Sequence, residues 1–147
     1  MRKSALILLG LCFLSACSQP DIHDTSGQGY SFDEFLGKTI VINYWAIWCA
    51  PCIEEIPELA ALAANHDDIE VFGVNFDMPD SETLRQQIHD LKVTFPVFDS
   101  DPYARFGIQR PEVLPTTLII NPRGELQDLL IGPQTEDSLL AVIRGDF

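Results

Sequence analysis

The sequence is constrained most strongly by two cysteines, Cys49 and Cys52, in the segment WCAPC that begins at Trp48. The apolar run at residues 40–42 predicts a buried strand before them, and the pattern after them is helical. A C-x-x-C pair between a strand and a helix is typical of a redox motif. Because the start of a helix presents unpaired N–H groups and a positive dipole, it favours the thiolate of the first cysteine. We therefore expect Cys49 to be the nucleophile and Cys52 to be the resolving thiol.

The beginning of the chain has the features of a secretion signal. Arg2 and Lys3 supply positive charge, and the apolar stretch at residues 5–14 is too short for a stable membrane anchor. This stretch ends in LSAC, whose last residue is Cys17, and it resembles the lipobox of bacterial lipoproteins. We expect residues 1–16 to be a lipoprotein signal peptide and Cys17 to be the lipidated first residue of the mature chain. The alternative is an ordinary signal peptide that leaves Cys17 as an incidental thiol.

The cysteine count favours exchange over a structural bridge. Of the four cysteines, Cys12 would leave with the signal peptide and Cys17 would carry lipid. Only Cys49 and Cys52 would then remain in the mature domain. A bridge between them encloses two residues, so it would remove little entropy from the unfolded chain. We interpret the pair as a redox-active disulfide.

The charge of the chain excludes some partners. The net charge is −13, and without Arg2 and Lys3 the chain keeps 7 basic against 22 acidic residues, a net charge of −15. Such a domain does not bind nucleic acid or anionic lipid headgroups by electrostatics. Lipid on Cys17, rather than charge, would hold it at a membrane. Residues 17–29 are polar and contain two glycines, so we expect a lipidated cysteine followed by a flexible tether.

Residues 30–147 are expected to form one domain in which strands and helices alternate. The pattern predicts a strand at residues 39–45, a helix at 52–65, a strand at 69–76, a helix from Ser81 as N-cap to Leu91, a short helix at 101–106, a strand at 116–120, its hairpin partner at 125–131 and a closing helix at 135–144. Strands alternating with helices, followed by a hairpin and a helix, predict an α/β fold. We expect a mixed central β-sheet with helices on both faces.

Three features of the sequence resemble the thioredoxin superfamily. They are the WCAPC segment that holds Cys49 and Cys52, Pro57 in the following helix, and the segment LPTT that begins at Leu114. Within the superfamily the chain looks like the TlpA-like, membrane-anchored thiol–disulfide reductases of bacteria, which include those that serve cytochrome c maturation. The resemblance covers residues 30–147. It implies the thioredoxin fold and an enzyme that exchanges disulfides.

The resemblance also implies a substrate site beside the cysteines. Pro115 would be a cis-proline that faces the disulfide, and Leu114 would offer its backbone to an extended substrate segment. Trp48 would shape the surface around the pair. The alternative for Pro115 is a trans proline that starts a strand, because an X-Pro bond is only occasionally cis.

Two further residues set this chain apart from cytosolic thioredoxins. Where those proteins carry a buried aspartate, this chain has Asn43, and Glu55 follows the second cysteine by three residues, as the TlpA-like group commonly has it. Helical spacing places Glu55 one turn beyond Cys52. A partly buried carboxylate there would have a raised pKa and would take the proton from Cys52 as it attacks the mixed disulfide. The alternative is one solvated acidic face of Glu54, Glu55 and Glu58, and we expect Glu54 and Glu58 to be solvated.

The expected function is the reduction of disulfides in proteins outside the cytoplasm, by a monomer with no cofactor beyond the Cys49–Cys52 disulfide. A membrane thiol reductant would supply the electrons. The same chemistry also allows a thiol oxidase or isomerase, because Ala50-Pro51 does not fix the reduction potential. The loop at residues 107–114 is longer than usual in the family, so the resemblance does not identify the client.

Three alternatives from other classes are less favoured. Copper carriers of the same fold use C-x-x-x-C and a distant histidine, whereas here the spacing is C-x-x-C and no histidine follows His89. A zinc site would need a second pair of ligands. A thiol peroxidase is less favoured because the sequence shows no peroxide-binding constellation.

Overall fold

One mixed β-sheet and the helices packed on it make up the computed structural model, which describes residues 19–145. In chain order the strands and α-helices are β1 (Ile22–His23), β2 (Gly29–Tyr30), β3 (Thr39–Trp45), α1 (Ala50–Asn65), β4 (Ile69–Asn75), α2 (Ser81–Asp90), β5 (Val97–Phe98), β6 (Thr116–Ile120), β7 (Leu126–Ile131) and α3 (Glu136–Arg144). Two 3-10 helices span Phe32–Phe35 and Tyr103–Phe106. The order of the central elements is the one expected from the sequence.

Strand β3 is the centre of the sheet, whose order is β5-β4-β3-β6-β7. All seven of its residues are buried, in keeping with the apolar run at residues 40–42. Strands β4 and β5 continue the sheet in parallel, whereas β6 is antiparallel to β3 and β7 is antiparallel to β6. Trp45 pairs with Asn75 at the ends of β3 and β4, and Tyr44 pairs with Thr116 at the start of β6. The segments after β3 and β4 and the segment before β6 therefore meet at one edge of the sheet.

Two apolar clusters lie on opposite faces of the sheet, because successive side chains of a strand point to opposite sides. The α-helices cover one face, in a cluster that includes Val41, Trp45, Ile56, Leu59, Val71, Leu84, Ile119 and Leu139. The N-terminal hairpin and the 3-10 helices cover the other, in a cluster that includes Ile22, Phe32, Ile40, Ile42, Phe72, Phe98, Leu118 and Ile120. The predicted α/β class with a mixed central sheet is confirmed. The expected helices on both faces are found as α-helices on one face only, because the hairpin and the two short 3-10 helices cover the other.

The N-terminal segment is folded where the sequence predicted a flexible tether. Strands β1 and β2 form an antiparallel hairpin, and Ile22 is buried in it. The hairpin is a separate two-stranded sheet that is bonded to β5 by its turn, since the N–H of Thr25 donates to the carbonyl of Val97 at 2.9 Å. The tether prediction is therefore wrong for residues 21–29, and the folded domain begins before residue 30. Cys17 and the predicted signal peptide lie outside the described residues.

A buried carboxylate holds the turn of this hairpin. Asp24 accepts hydrogen bonds from the N–H and hydroxyl of Ser26, from the N–H of Gln28 and from the hydroxyl of Tyr30, at 2.6–3.0 Å. These donors lie within six residues of Asp24, so the turn satisfies its own polar groups as it packs on β5. The sequence predicted a flexible segment here because a buried polar residue such as Asp24 does not contribute to an apolar pattern.

The helix ends differ from the predictions in detail. Asp80, rather than Ser81, is the N-cap of α2, and its carboxylate accepts from the N–H groups of Glu82 and Thr83 at 3.1 Å. Both residue types suit this position, and the chain uses the earlier one. Within the described part of the chain, no helix combines the length and the apolar character needed to cross a bilayer.

Candidate active site

Cys49 lies at the N-cap of α1, directly after the loop that leaves β3. Its backbone is extended, and its Sγ accepts a hydrogen bond from the N–H of Cys52 at 3.3 Å. Pro51 occupies the first turn, where a missing N–H costs no helical hydrogen bond. The sulfur of Cys49 is thus placed at the positive end of the helix, as the sequence predicted, in the environment that stabilises a thiolate.

The two cysteines form a disulfide, with their Cα atoms 5.3 Å apart. Cys52 is completely buried, whereas Cys49 keeps 5% of its surface exposed. A thiol or disulfide from outside therefore has no access to Cys52, whereas part of Cys49 remains exposed. This asymmetry is the one that the assignment of Cys49 as nucleophile and Cys52 as resolving thiol requires.

Pro115 arrives at the same edge of the sheet, at the start of β6. The peptide bond between Leu114 and Pro115 is cis, as predicted. Gly132 donates its N–H to the carbonyl of Pro115 at 2.9 Å, and the hydroxyl of Thr116 donates to the carbonyl of Val113 at 2.7 Å. The turn that carries Leu114 and Pro115 is therefore fixed from both sides.

Exposed apolar side chains surround the disulfide. Trp48 is 63% exposed, yet its indole N–H donates to the carboxylate of Asp77 at 2.8 Å. Five of the seven exposed large apolar residues in the described chain belong to segments at this edge: Ile47, Trp48, Ile53, Val113 and Ile131. A group of exposed apolar residues in one place is typical of a binding surface.

Glu55 belongs to α1, one turn after Cys52, and only 1% of its surface is exposed. One carboxylate oxygen accepts from the side-chain amide of Asn43 at 2.6 Å, and the other accepts from the N–H of Gln134 at 2.9 Å. The same amide nitrogen of Asn43 also donates to the hydroxyl of Thr117 at 3.0 Å. Burial raises the pKa of Glu55, and the hydrogen bonds from Gln134 and Asn43 oppose that rise without cancelling it.

The other acids of α1 only partly follow the prediction of a solvated face. Glu54 is exposed, but Glu58 accepts a hydrogen bond from the N–H of Glu136 at 2.9 Å. Glu58 thus holds the first turn of α3 and is not simply solvated, which corrects the sequence-based expectation. The three acids Glu54, Glu55 and Glu58 line one surface cavity of about 260 Å³ together with the segment before α3.

Sequence reasoning missed three residues that support the site: Asp77, Thr117 and Gln134. Gln134 acts through its backbone N–H, so its side chain gave no signal. Thr117 lies in the LPTT segment, where its contact with Asn43 depends on the antiparallel pairing of β3 with β6. Trp45, the last residue of β3, is fully buried in the core. Among residues 19–145, no group of three or more histidine, cysteine or acidic side chains is arranged to hold a metal ion.

Comparisons with known proteins agree with this arrangement. The sequence profile described as the AhpC/TSA family matches residues 15–129. Among curated relatives, a thiol-disulfide oxidoreductase ResA of Oceanobacillus iheyensis is 32% identical over 109 residues, which are 70% of this chain and 54% of that protein. The thioredoxin-like protein YneN of Bacillus subtilis is 29% identical over 120 residues, 78% of this chain and 68% of that protein. The chain thus spans between about half and two thirds of the length of these relatives.

Solved structures share the fold. StoA from Bacillus subtilis superposes with a TM-score of 0.65 at 25% identity, covering 82% of this chain and 92% of that one. The exposed lipoprotein thioredoxin Etrx1 of Streptococcus pneumoniae gives a TM-score of 0.71 at 20% identity, covering 87% and 99%. The similarity to Etrx1 shows the fold alone, whereas the similarity to StoA also includes the sequence. Since the family profile covers most of the chain, the protein belongs to the thioredoxin-like AhpC/TSA family.

Proposed function

We propose that the protein is an extracytoplasmic thiol–disulfide oxidoreductase that reduces disulfides of client proteins through Cys49 and Cys52. The observation that carries the proposal is the disulfide at the start of α1, in which Cys52 is fully buried and Cys49 keeps some exposed surface. Relatives that are named thiol-disulfide oxidoreductases, among them ResA proteins, support the same reaction class. Disulfide-bonded proteins outside the cytoplasm are the clients, and cytochrome c maturation is the specific role that the resemblance suggests.

The reaction is two successive exchanges. In the reduced protein the thiolate of Cys49 attacks one sulfur of the client disulfide; a new S–S bond forms, and the second client sulfur leaves as a thiolate. Cys52, as its thiolate, then attacks the sulfur of Cys49, which releases the first client sulfur and closes the Cys49–Cys52 disulfide. Two electrons pass from the protein to the client. A membrane thiol reductant returns them, and no further cofactor takes part.

Glu55 is the proposed acceptor for the proton of Cys52. Burial raises its pKa, so this carboxylate binds a proton more readily than an exposed glutamate does. Asn43 and Gln134 hold the two carboxylate oxygens, so the group is oriented while it titrates. The cavity bordered by Glu54 and Glu58 gives the proton a route to solvent.

Trp48, Leu114 and Pro115 form the proposed client site. The exposed indole of Trp48 is bonded to Asp77, after β4, whereas the cis peptide comes directly before β6. Because β4 and β6 flank β3 in the sheet, these two groups belong to segments on opposite sides of the one that carries Cys49. An extended client segment placed between them brings its disulfide to Cys49, while the backbone of Leu114 pairs with it as an additional strand would.

Lipid on Cys17 is the proposed anchor, and it places the domain outside the cytoplasm. A structural neighbour, Etrx1, is itself described as an exposed lipoprotein. Because the hairpin is already paired at Asp21, whose N–H donates to the carbonyl of Tyr30, three residues separate Cys17 from folded structure. Three extended residues span about 10 Å, so the domain would be held closer to the bilayer than a long tether would allow.

Reduction of insulin disulfides by the purified protein, with dithiothreitol as electron source, tests the proposal. We expect catalysis by the native protein and none by Cys49→Ser. The reduction potential distinguishes the directions: a value close to about −270 mV fits a reductase, and a value close to about −120 mV would replace it with an oxidase. Stoichiometric copper binding, or rapid peroxide consumption without insulin reduction, would favour the carrier or peroxidase alternatives.

A further inference from the structure

The long loop before Pro115 is anchored by one inward-facing charge, Arg110. Its Nε donates to the carboxylate of Asp101 at 2.9 Å, and its terminal nitrogen donates to the carbonyl of Phe76. Its guanidinium carbon also lies 4.4 Å from the centre of the Phe76 ring, which is a cation–π contact. Asp101 is itself held in place, because it accepts a hydrogen bond from the hydroxyl of Tyr44 at 2.7 Å. Arg110 is thus tied to two other segments at once.

Phe76 connects this contact to Trp48. The two rings meet edge to face, with their centroids 6.4 Å apart and their planes at 89°. The next residue, Asp77, accepts the hydrogen bond from the indole N–H of Trp48. The two contacts of the exposed indole are therefore made by Phe76 and Asp77, the two residues that follow β4. Arg110 contacts the ring of Phe76 and donates a hydrogen bond to its carbonyl.

The loop that carries Arg110 also forms the opposite side of the site. Val113, which is 51% exposed, and Leu114 follow it in the same loop and lead into Pro115. One side chain therefore links the support of Trp48 to the turn that carries Leu114 and Pro115. No other side chain in the described loop joins these two sides by hydrogen bonds to both Asp101 and the segment after β4.

We propose that Arg110 is a positioning residue that sets the width of the client cleft over Cys49, between Trp48 and the Val113–Pro115 turn. This inference rests on the proposed exchange function and adds the class of client. A cleft with apolar walls selects an extended polypeptide segment with apolar side chains next to its disulfide. Small disulfides reach Cys49 without touching both walls, so the width of the cleft does not affect them.

The charges at the cleft further restrict which client segments it can bind. Arg110 is the only basic residue in the segments 46–49, 76–80, 107–115 and 131–134 that border it, and Asp101 neutralises it. Asp77, Asp80 and Glu112 lie in the same segments and are exposed. The cleft therefore favours segments whose polar residues are neutral or basic and disfavours acidic ones.

The test compares Arg110→Ala with Arg123→Ala, which removes the same charge at the distant turn between β6 and β7, where Arg123 pairs with Glu125. Saturation kinetics are measured with insulin and with the small neutral disulfide dithiodipyridine. We expect Arg110→Ala to raise KM for insulin about tenfold, with kcat and the dithiodipyridine rate unchanged. Arg123→Ala should match the native protein with both substrates. Emission of Trp48, obtained by subtracting the Trp48→Phe variant, should shift in Arg110→Ala only.

Arg110→Lys provides a second variant in case the alanine variant does not fold. It keeps the charge but loses the planar contact with Phe76, so we expect an intermediate KM for insulin. An unchanged KM for insulin in both variants, or an equal loss of rate with insulin and dithiodipyridine, would overturn the inference. Failure of the native protein to react with either disulfide would instead overturn the proposed exchange function on which it rests.

Discussion

Two buried carboxylates in this protein are treated in opposite ways. Asp24, 8% exposed, lies in the N-terminal hairpin and accepts four hydrogen bonds from three neighbouring residues. Glu55, 1% exposed, lies in the active-site helix α1 and accepts two hydrogen bonds, one from Asn43 and one from the backbone of Gln134. Both carboxylates are removed from water, and they differ in how many hydrogen-bond donors of the protein take the place of water.

The difference decides the charge of each group. Burial raises the pKa of Asp24, but hydrogen bonds from Ser26, Tyr30 and Gln28 outweigh burial and leave the pKa below its usual value. For Glu55 burial prevails over two donors, and the pKa stays raised. A fully satisfied carboxylate is fixed as an anion and serves structure. A buried carboxylate with fewer donors has a raised pKa and binds a proton more readily, which suits a proton acceptor.

Asp24→Ala should have the largest effect and should act on stability alone. It leaves two N–H groups and two hydroxyls in the hairpin without their acceptor, so we expect a loss of about 3 kcal/mol in the free energy of unfolding. Urea titration measures it. Asp33→Ala, whose side chain is 80% exposed, is the matched control and should change little. A loss of the dithiodipyridine rate in folded Asp24→Ala would contradict the separation of the two carboxylates.

Glu55→Gln should act mainly on exchange. Without a proton acceptor for Cys52, we expect closure of the Cys49–Cys52 disulfide to slow about 100-fold at neutral pH, while formation of the mixed disulfide is unaffected. Rapid mixing of reduced protein with client separates the two steps. Glu54→Gln removes a neighbouring exposed charge and should behave as the native protein. If the two variants slow closure equally, Glu55 has no special role.

The pH dependence of stability should have opposite signs at the two sites. Glu55 has a folded-state pKa above 4.5, so its contribution is fully present below pH 4.5 and is lost as the pH rises through the folded-state pKa. Asp24 has a folded-state pKa below 3.8, so its contribution is present above pH 3.8 and is lost as the pH falls through the folded-state pKa. Each unit of displacement corresponds to about 1.4 kcal/mol.

Unfolding free energies of Glu55→Gln and Asp24→Asn across this range measure both contributions. The native protein should lose stability relative to Glu55→Gln as the pH rises above 4.5. It should lose stability relative to Asp24→Asn as the pH falls below 3.8. Two difference curves of the same sign would contradict the comparison.

Tyr30→Phe should have the smallest effect. It removes one of the four hydrogen bonds to Asp24, the bond to its second oxygen at 2.9 Å, so we expect a loss of about 1 kcal/mol. Burial and the bond to Asp24 raise the pKa of Tyr30 to about 12, which keeps its hydroxyl protonated as a donor. Absorbance titration of the tyrosines should lose the step near pH 12 in this variant, while Tyr44, whose pKa is also raised by burial and by Asp101, keeps its own step. No change in stability would mean that Asp24 needs only the donors of Ser26 and Gln28.

The two carboxylates also show what the sequence can and cannot predict. The strand and the helix at the active site follow from local periodicity, and the C-x-x-C motif is visible in the sequence itself. Glu55 is singled out by the resemblance to the TlpA-like group, and helical spacing places it one turn beyond Cys52. The hairpin at Asp24 was missed because its order depends on pairing with β5, more than seventy residues away in sequence. Glu58 was misjudged for the same reason, since its partner Glu136 lies 78 residues further on. Contacts between distant segments carry no local signal.

Trapping the mixed disulfide tests the central claim most directly. Cys52→Ser removes the resolving thiol, so the protein should accumulate in cells as a covalent adduct between Cys49 and a client, seen as reducible bands on a non-reducing gel. Cys49→Ser is the matched control and should give no adduct, because the sulfur of Cys52 is fully buried. Adducts that depend on Cys49 would establish the exchange mechanism. Folded, expressed Cys52→Ser protein with no adduct, or equal adducts in both variants, would contradict it.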